Sequence, residues 1–207
     1  MYKVDAEQLH KLSQCLNIAV QEHEHAIDDQ KQLTLFRMNY IKCFTDDVSF
    51  LNDLSGNPSF HVRYANLILR NMVEQLIEFL YISKHTELVD EYLGSKISTN
   101  NSSKKKSIVT ALRRFGDYRF TNRRAEVSKM AADIKEKYSK KENPLTLYNM
   151  YSILSDRCHN SYFSSLLDDF AKAFSDSHYI GLTQEQDNYL NTLIHIVLIN
   201  FPCITET

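Results

Sequence analysis

The chain has 207 residues, a hydrophobic fraction of 43% and a formal net charge of −2, which provides enough apolar sequence for one packed core. With only 4 Gly and 3 Pro, it lacks the turn residues that hairpin-rich β folds require, so we expect an all-α fold. The four Cys are widely separated and include no close pair. This argues against a disulfide framework or a zinc knuckle and indicates reduced thiols in a cytoplasmic protein.

Residues 1–55 predict an N-terminal helical hairpin, because they contain neither proline nor glycine and their apolar residues recur at helical spacing over about 5–30 and 33–54. Near the end of the first helix, His25, Asp28 and Asp29 stand at positions i, i+3 and i+4, where a continuous helix would let them share a divalent metal. A second helix with matching ligands is missing from the sequence. We therefore favour a solvated acidic face and expect no metal and no cofactor.

The most hydrophobic predicted helix covers about 59–84, after the turn cluster at 55–58. Apolar residues occupy most directions around this helix, which is typical of a central buried helix. Its remaining polar wedge contains Arg70 and Glu74, one turn apart. With a short helical turn near 87–93, this region forms the first part of a core bundle, 59–93.

The middle of the chain, 94–141, predicts a polar loop followed by helices near 104–115 and 122–140, and it is strongly basic. Residues 96–141 hold 14 Lys and Arg against 4 Asp and Glu, a local net charge of +10. Such a block points to an anionic partner, or to contact with the acidic remainder of the chain. The cations, which alternate with aromatic residues, are candidate RNA contacts: Lys104, Lys105, Lys106, Arg113, Arg114, Arg119, Arg123 and Arg124. The plainer interpretation is a solvated helix face.

Two more helices are predicted in the second part of the core bundle, 144–203. Asn143 and Pro144 indicate a helix start, and Thr183 with Gln186 has the spacing of a capping box at the start of the last helix. We expect a single domain over 1–207: an up-down bundle of four to five core helices with a basic helical insertion. No segment is long and apolar enough to span a bilayer, and no signal peptide precedes the first helix, so we expect no membrane partner.

The helix after Pro144 carries a polar line beside its apolar seam, with Tyr148, Ser152, Ser155 and His159 on one flank. Ser155–His159 and Arg70–Glu74 are polar pairs on two helices that we expect to be largely buried. If the pairs converge, Arg70 could hold a phosphate and His159 could transfer a proton, with Ser155 or Tyr148 positioning the substrate. The alternative is a surface ion pair and a satisfied core histidine. Arg157 points about 160° away from His159 around a continuous helix, so we do not expect it in the same pocket.

These segments resemble two motifs of HEPN-like bacterial proteins, in particular uncharacterised groups related to abortive-infection proteins. Residues 67–81, with Arg70 and Glu74, resemble the Arg-x-x-x-Glu helix of these families, and residues 154–162 resemble their later Ser/His patch. The likeness extends over roughly 60–200 in order and spacing. It implies a helical bundle that is commonly a homodimer and whose active members are metal-independent ribonucleases.

The resemblance implies an RNA-binding protein and an endoribonuclease site formed by His159, Arg70, Glu74 and Ser155. Active members carry an Arg, then a polar residue, then a His four to six residues after the Arg. Here Arg157 precedes His159 by only two residues, so Arg70 would have to supply the arginine from another helix. This departure favours an alternative function: a non-catalytic helical bundle that dimerises and binds a protein partner or a nucleotide.

Overall fold

The protein is all-helical in a computed structural model, which describes residues 4–54, 62–89, 123–138, 146–159 and 176–201. Within these ranges there are six α-helices, one 3₁₀ turn and no β-strand, so the all-α prediction is confirmed. The elements are α1 (Ala6–Glu24), α2 (Lys31–Leu54), α3 (Val62–Lys84), the 3₁₀ turn (Thr86–Leu88), α4 (Arg123–Tyr138), α5 (Leu147–His159) and α6 (Asp176–Asn200).

Helix α1 begins at a capping aspartate and ends six residues earlier than predicted. The Asp5 carboxylate accepts a hydrogen bond from the backbone N–H of Glu7 at 3.1 Å, as expected for an N-cap. At the other end, His25 Nδ1–H donates to the carbonyl oxygen of Gln21 at 2.8 Å, and the following residues form a turn. The prediction that the first helix continues to about residue 30 is therefore wrong. The helical spacing that the metal alternative required does not exist around His25.

Helix α3 forms the centre of the core, as predicted. Its buried apolar residues are Ala65, Leu69, Met72, Val73, Leu76, Ile77, Phe79, Leu80 and Ile82. It packs against α2, α4, α5 and α6. Each large apolar side chain buried in this way contributes about 1.5–3 kcal/mol to folding, so the position of α3 dominates the arrangement of its neighbours.

A stack of aromatic rings joins three helices at the end of α3. The ring centroid of Phe79 lies 4.0 Å from that of Tyr40, 5.1 Å from that of Phe201 and 5.4 Å from that of Phe36. Because Phe36 and Tyr40 lie in the first half of α2, α2 and α3 form an antiparallel hairpin. Arg37 of α2 places its guanidinium 5.4 Å from the centroid of the Phe201 ring.

Helix α6 starts earlier than predicted, and its interior contains a buried polar pair. It begins at Asp176, upstream of Thr183, so the capping box proposed for Thr183 and Gln186 is wrong. Gln186 is instead buried, and its side-chain amide donates to Asn66 Oδ1 at 2.7 Å. Near the start of α3, Asn66 contacts Gln186, and near the end of α3, Phe79 contacts Phe201, which directly follows α6. Helices α3 and α6 therefore run parallel.

The cysteines differ from the sequence-based expectation. Cys43 and Cys158 are free thiols, but Cys15 is disulfide-bonded, so the expectation of reduced thiols is wrong for this residue. Cys15 is buried in α1, and its sulfur lies 3.1 Å from the carbonyl oxygen of Phe201 at the end of α6. The sequence alone does not show that these residues are close, because they are far apart in the chain.

Among the described helices, none is both long and apolar enough to cross a membrane.

Candidate functional site

The guanidinium of Arg70 contacts three side chains between α3 and α5. Its Nε–H donates to Ser155 Oγ at 3.0 Å, and its Nη2–H donates to the Tyr151 hydroxyl at 3.0 Å. Nη1 lies 3.3 Å from a carboxylate oxygen of Glu74, one turn further along α3. We call Arg70, Glu74, Tyr151 and Ser155 the Arg70 cluster. The structure thus brings together three of the four predicted catalytic residues: Arg70, Glu74 and Ser155.

Helix packing explains why the cluster forms at this position. Three apolar residues of α5 are buried: Leu147, Met150 and Leu154. With this face of α5 against the core, the neighbouring polar flank of the helix lies toward α3. The polar wedge of α3 faces other helices rather than solvent, because the side chains of Arg70 and Glu74 are only 25% and 12% exposed. One turn further, Glu78 is 2% exposed. A simple surface ion pair is therefore not what the structure shows.

Tyr151 was missing from the predicted site, where Tyr148 was the candidate. At 100° per residue, Tyr151 falls on the apolar seam with Leu147 and Leu154, and its ring is indeed partly buried against the core. Its hydroxyl nevertheless reaches Arg70, whose guanidinium carbon lies 5.1 Å from the Tyr151 ring centroid. Tyrosine combines an apolar ring with a polar tip. Its position one turn before Ser155 was the signal that could have identified it.

His159 is the last residue of α5, one turn beyond Ser155. Its side chain lies outside the part of the protein that the structure describes, so its catalytic role stays a prediction. Arg157 contacts a different helix from Ser155. Its Nη2–H donates to Glu185 of α6 at 2.7 Å, and the Tyr189 hydroxyl donates to the same carboxylate at 2.7 Å. Burial, together with this hydrogen bond, raises the pKa of Tyr189.

The predicted nucleic-acid contacts cannot be placed. Lys104, Lys105, Lys106, Arg113, Arg114 and Arg119 lie outside the described residues. Arg123 and Arg124 begin α4, but their side chains lie outside the description as well. The basic surface over 104–124 therefore stays a prediction.

A second polar cluster, which the sequence did not indicate, joins the end of α3 to α4. One carboxylate oxygen of Asp133 lies 3.0 Å from Lys84 Nζ and 3.1 Å from His85 Nε2. The hydrogen bonds from Lys84 and His85 hold the pKa of Asp133 below its usual value. This contact connects α4, the described part of the basic segment 94–141, to the end of α3.

No group of three or more His, Cys, Asp or Glu side chains close enough to hold a metal ion occurs in the described ranges. Asp28, one of the candidate ligands, instead pairs with Lys31, with an O–N distance of 3.1 Å.

Comparison of the chain with protein-family models, with curated proteins and with solved structures finds no match. The resemblance to HEPN-like proteins therefore rests on the residues of this chain alone, and the Arg70 cluster must be interpreted from its own chemistry.

Proposed function

We propose that this chain is a HEPN-like RNA-binding bundle and a cytoplasmic, metal-independent endoribonuclease of defence or stress response. The observation that supports this proposal is the Arg70 guanidinium, held between α3 and α5 by Ser155, Tyr151 and Glu74, on a side chain that is partly exposed. A fixed guanidinium fork is well suited to a phosphate, because less side-chain entropy is lost when the phosphate binds.

The cluster leaves Arg70 able to contact a ligand. A guanidinium has five N–H donors, and the described contacts use three of them. In this proposal a phosphate oxygen approaches Arg70 from solvent, to which a quarter of the side chain is exposed. Tyr151 and Ser155 then position the guanidinium, while Glu74 fixes its orientation at the cost of some positive charge.

Cleavage would use the RNA's own 2′-hydroxyl. In this proposal His159 takes the proton from the 2′-hydroxyl, the 2′-oxygen forms a bond to phosphorus, and the bond from phosphorus to the 5′-oxygen breaks. The 5′-oxygen receives a proton from the imidazolium, leaving a 2′,3′-cyclic phosphate and a 5′-hydroxyl end. Arg70 stabilises the charge that develops on the phosphate. The basic block of 96–141 attracts RNA over longer distances through its local net charge of +10.

A second candidate function is a non-catalytic, dimerising module that binds a protein partner or a nucleotide. One observation favours it: each of the three guanidinium nitrogens of Arg70 already contacts a protein group, and Glu74 neutralises its charge. In that case the Arg70 cluster only fastens α5 to α3. Tyr64 and Leu67, two exposed apolar residues on α3, would then belong to the partner surface.

The test is cleavage of a labelled RNA pool in the presence of a chelator. Wild-type protein, His159→Ala and a matched control, His195→Ala, are compared, since His195 is an exposed histidine on α6. We expect cleavage by the wild type and by the control variant, no cleavage by His159→Ala, and similar melting temperatures for all three. A large loss of stability in His159→Ala would instead mark His159 as a core residue.

Two other outcomes decide against the ribonuclease. Equal cleavage by all three proteins would identify a contaminating nuclease. No cleavage by any of them would remove the catalytic proposal. Comparing the RNA affinity of the wild type with that of Arg70→Gln would then separate RNA binding from the module function. Binding to RNA should weaken steeply with added salt, because the basic block releases counterions from the phosphates.

A further inference from the structure

We infer that the Arg70 cluster selects single-stranded RNA, and that the exposed ring of Tyr148 stacks on an unpaired base next to the phosphate held by Arg70. This inference rests on the proposed function and specifies the substrate class for that site. It depends on Tyr148, a residue of the predicted polar flank that lies outside the Arg70 cluster.

Tyr148 presents a large aromatic surface to solvent in the first turn of α5. Its side chain is 42% exposed, although the neighbouring Leu147 and Met150 are buried in the core. No hydrogen bond to its hydroxyl occurs within the described residues. An exposed aromatic ring on a regular helix is an available stacking platform for a nucleobase.

The ring of Tyr151 lies near both the Arg70 cation and the Tyr148 ring. The Arg70 guanidinium carbon is 5.1 Å from the centroid of the Tyr151 ring, and the centroid of the Tyr151 ring is 6.4 Å from that of Tyr148, with 27° between the ring planes. The Tyr151 ring is thus a common neighbour of the Arg70 cation and the exposed Tyr148 ring. In this inference a dinucleotide spans the two, with its phosphate at Arg70 and its base on Tyr148.

Preference for unpaired strands must come from stacking on Tyr148, because the charges of the cluster cannot supply it. Arg70 and Glu74 carry opposite charges 3.3 Å apart, so Arg70 holds a phosphate by its directed N–H donors rather than by net charge, and these donors do not distinguish a single strand from a duplex. Base–aromatic stacking lowers the dissociation constant by a factor of about 5 to 150 per base. In an A-form duplex the bases stack on each other inside the helix and are not available to an exposed side chain. The site should therefore bind unpaired strands in preference to duplex.

The test measures binding by fluorescence anisotropy with a labelled 2′-O-methyl oligouridine, which cannot be cleaved because it lacks a free 2′-hydroxyl. The same strand annealed to 2′-O-methyl oligoadenosine is the duplex probe. Wild-type protein is compared with Tyr148→Ala, Tyr148→Phe and Arg70→Gln. Phe50→Ala is the matched control, because Phe50 is an exposed aromatic residue on α2.

We expect Tyr148→Ala to weaken binding of the single strand by at least about 5-fold and to leave duplex binding unchanged. Tyr148→Phe should retain wild-type binding, since stacking needs the ring and not the hydroxyl. Arg70→Gln should weaken binding of both probes, and Phe50→Ala should have no effect.

The failures of the two proposals are distinguishable. If the wild type binds both probes equally well and Tyr148→Ala changes neither affinity, the stacking inference is wrong while RNA binding stands. If the wild type binds neither probe, the proposed function is wrong and the inference is overturned with it. Loss of single-strand binding in Phe50→Ala to the same extent as in Tyr148→Ala would show a nonspecific effect and would also refute the inference.

Discussion

The Arg70→Gln variant should lose about 3 kcal/mol of unfolding free energy. A hydrogen bond from a charged donor contributes about 1.5–3 kcal/mol when buried, and Arg70 donates two across the helix interface, to Ser155 and Tyr151. Partial exposure of the Arg70 side chain reduces that contribution, but the change also removes the cation that lies 3.3 Å from the carboxylate of Glu74, a side chain that is only 12% exposed. For a chain of this size, about 3 kcal/mol lowers the melting temperature by roughly 6–12 °C.

The assay is thermal and urea unfolding followed by circular dichroism. Lys11→Gln is the matched control, because it removes an i,i+4 ion pair with Glu7 that is exposed on α1 and should cost less than about 1 kcal/mol. An Arg70→Gln variant that melts within a degree or two of this control would refute the reasoning. Such a small loss would mean that Arg70 and Glu74 form only a local pair on α3 and do not fasten α5.

Four further predictions concern stability and redox state. Asp133→Asn should destabilise the protein above about pH 3.8, because a lowered pKa in the folded state stabilises it there and that contribution disappears on acidification. Asp47→Asn should have the opposite effect on stability. Burial and the nearby charge of Asp46 raise the pKa of Asp47, so removal of its charge should stabilise the protein at neutral pH but not in acid. Both are measured as urea midpoints against pH. Gln186→Leu should cost about 1–3 kcal/mol, because it leaves the buried Asn66 side chain without its amide donor, and Asn66→Leu/Gln186→Leu should recover part of that loss in urea unfolding. Cys15 should resist alkylation in denaturant until a reductant is added, as measured by peptide mass spectrometry.

Each of these predictions has a contradicting result, which for Asp47→Asn is a stability at neutral pH no greater than that of the wild type. Parallel pH profiles for wild type and Asp133→Asn would show that the contacts with Lys84 and His85 do not stabilise the fold. A Gln186→Leu variant as stable as the wild type would mean that the buried amide finds another partner. Alkylation of Cys15 without reductant would show that its sulfur is a free thiol.

Helix existence was more predictable than helix ends, and the reasons are local. The apolar pattern of α3 is visible at every turn, so its central position followed from the sequence alone. At the end of α1, both the backbone N–H and the side chain of His25 donate to the carbonyl oxygen of Gln21, which no periodicity shows. The start of α6 was misplaced because Thr183 and Gln186 imitate a capping box, whereas burial against Asn66 decides the role of Gln186.

The candidate site was predictable where helical geometry alone decides which residues share a face. Arg70 with Glu74 and Ser155 followed from one-turn spacings on two apolar helices, and their convergence required only that the helices pack side by side. Tyr151 did not follow, because its buried ring and its polar hydroxyl have opposite preferences and the sequence shows only the residue type. The Lys84–His85–Asp133 contact depends on where α4 packs against α3, which local patterns do not encode.

The position of α5 is determined by polar contacts on two opposite sides, and this constrains any function of its last turn. Ser155 is held by Arg70 of α3, whereas Arg157, two residues later, is held by Glu185 of α6. Rotation of α5 about its axis would break one contact or the other, so the helix has little rotational freedom. A catalytic histidine requires such a fixed backbone, because proton transfer demands hydrogen-bond distance to the reacting group. If His159 is catalytic, Arg157→Gln should therefore reduce cleavage more than it reduces RNA binding, although Arg157 contacts neither Arg70 nor Ser155. An equal reduction of both would show that Arg157 acts on the fold as a whole.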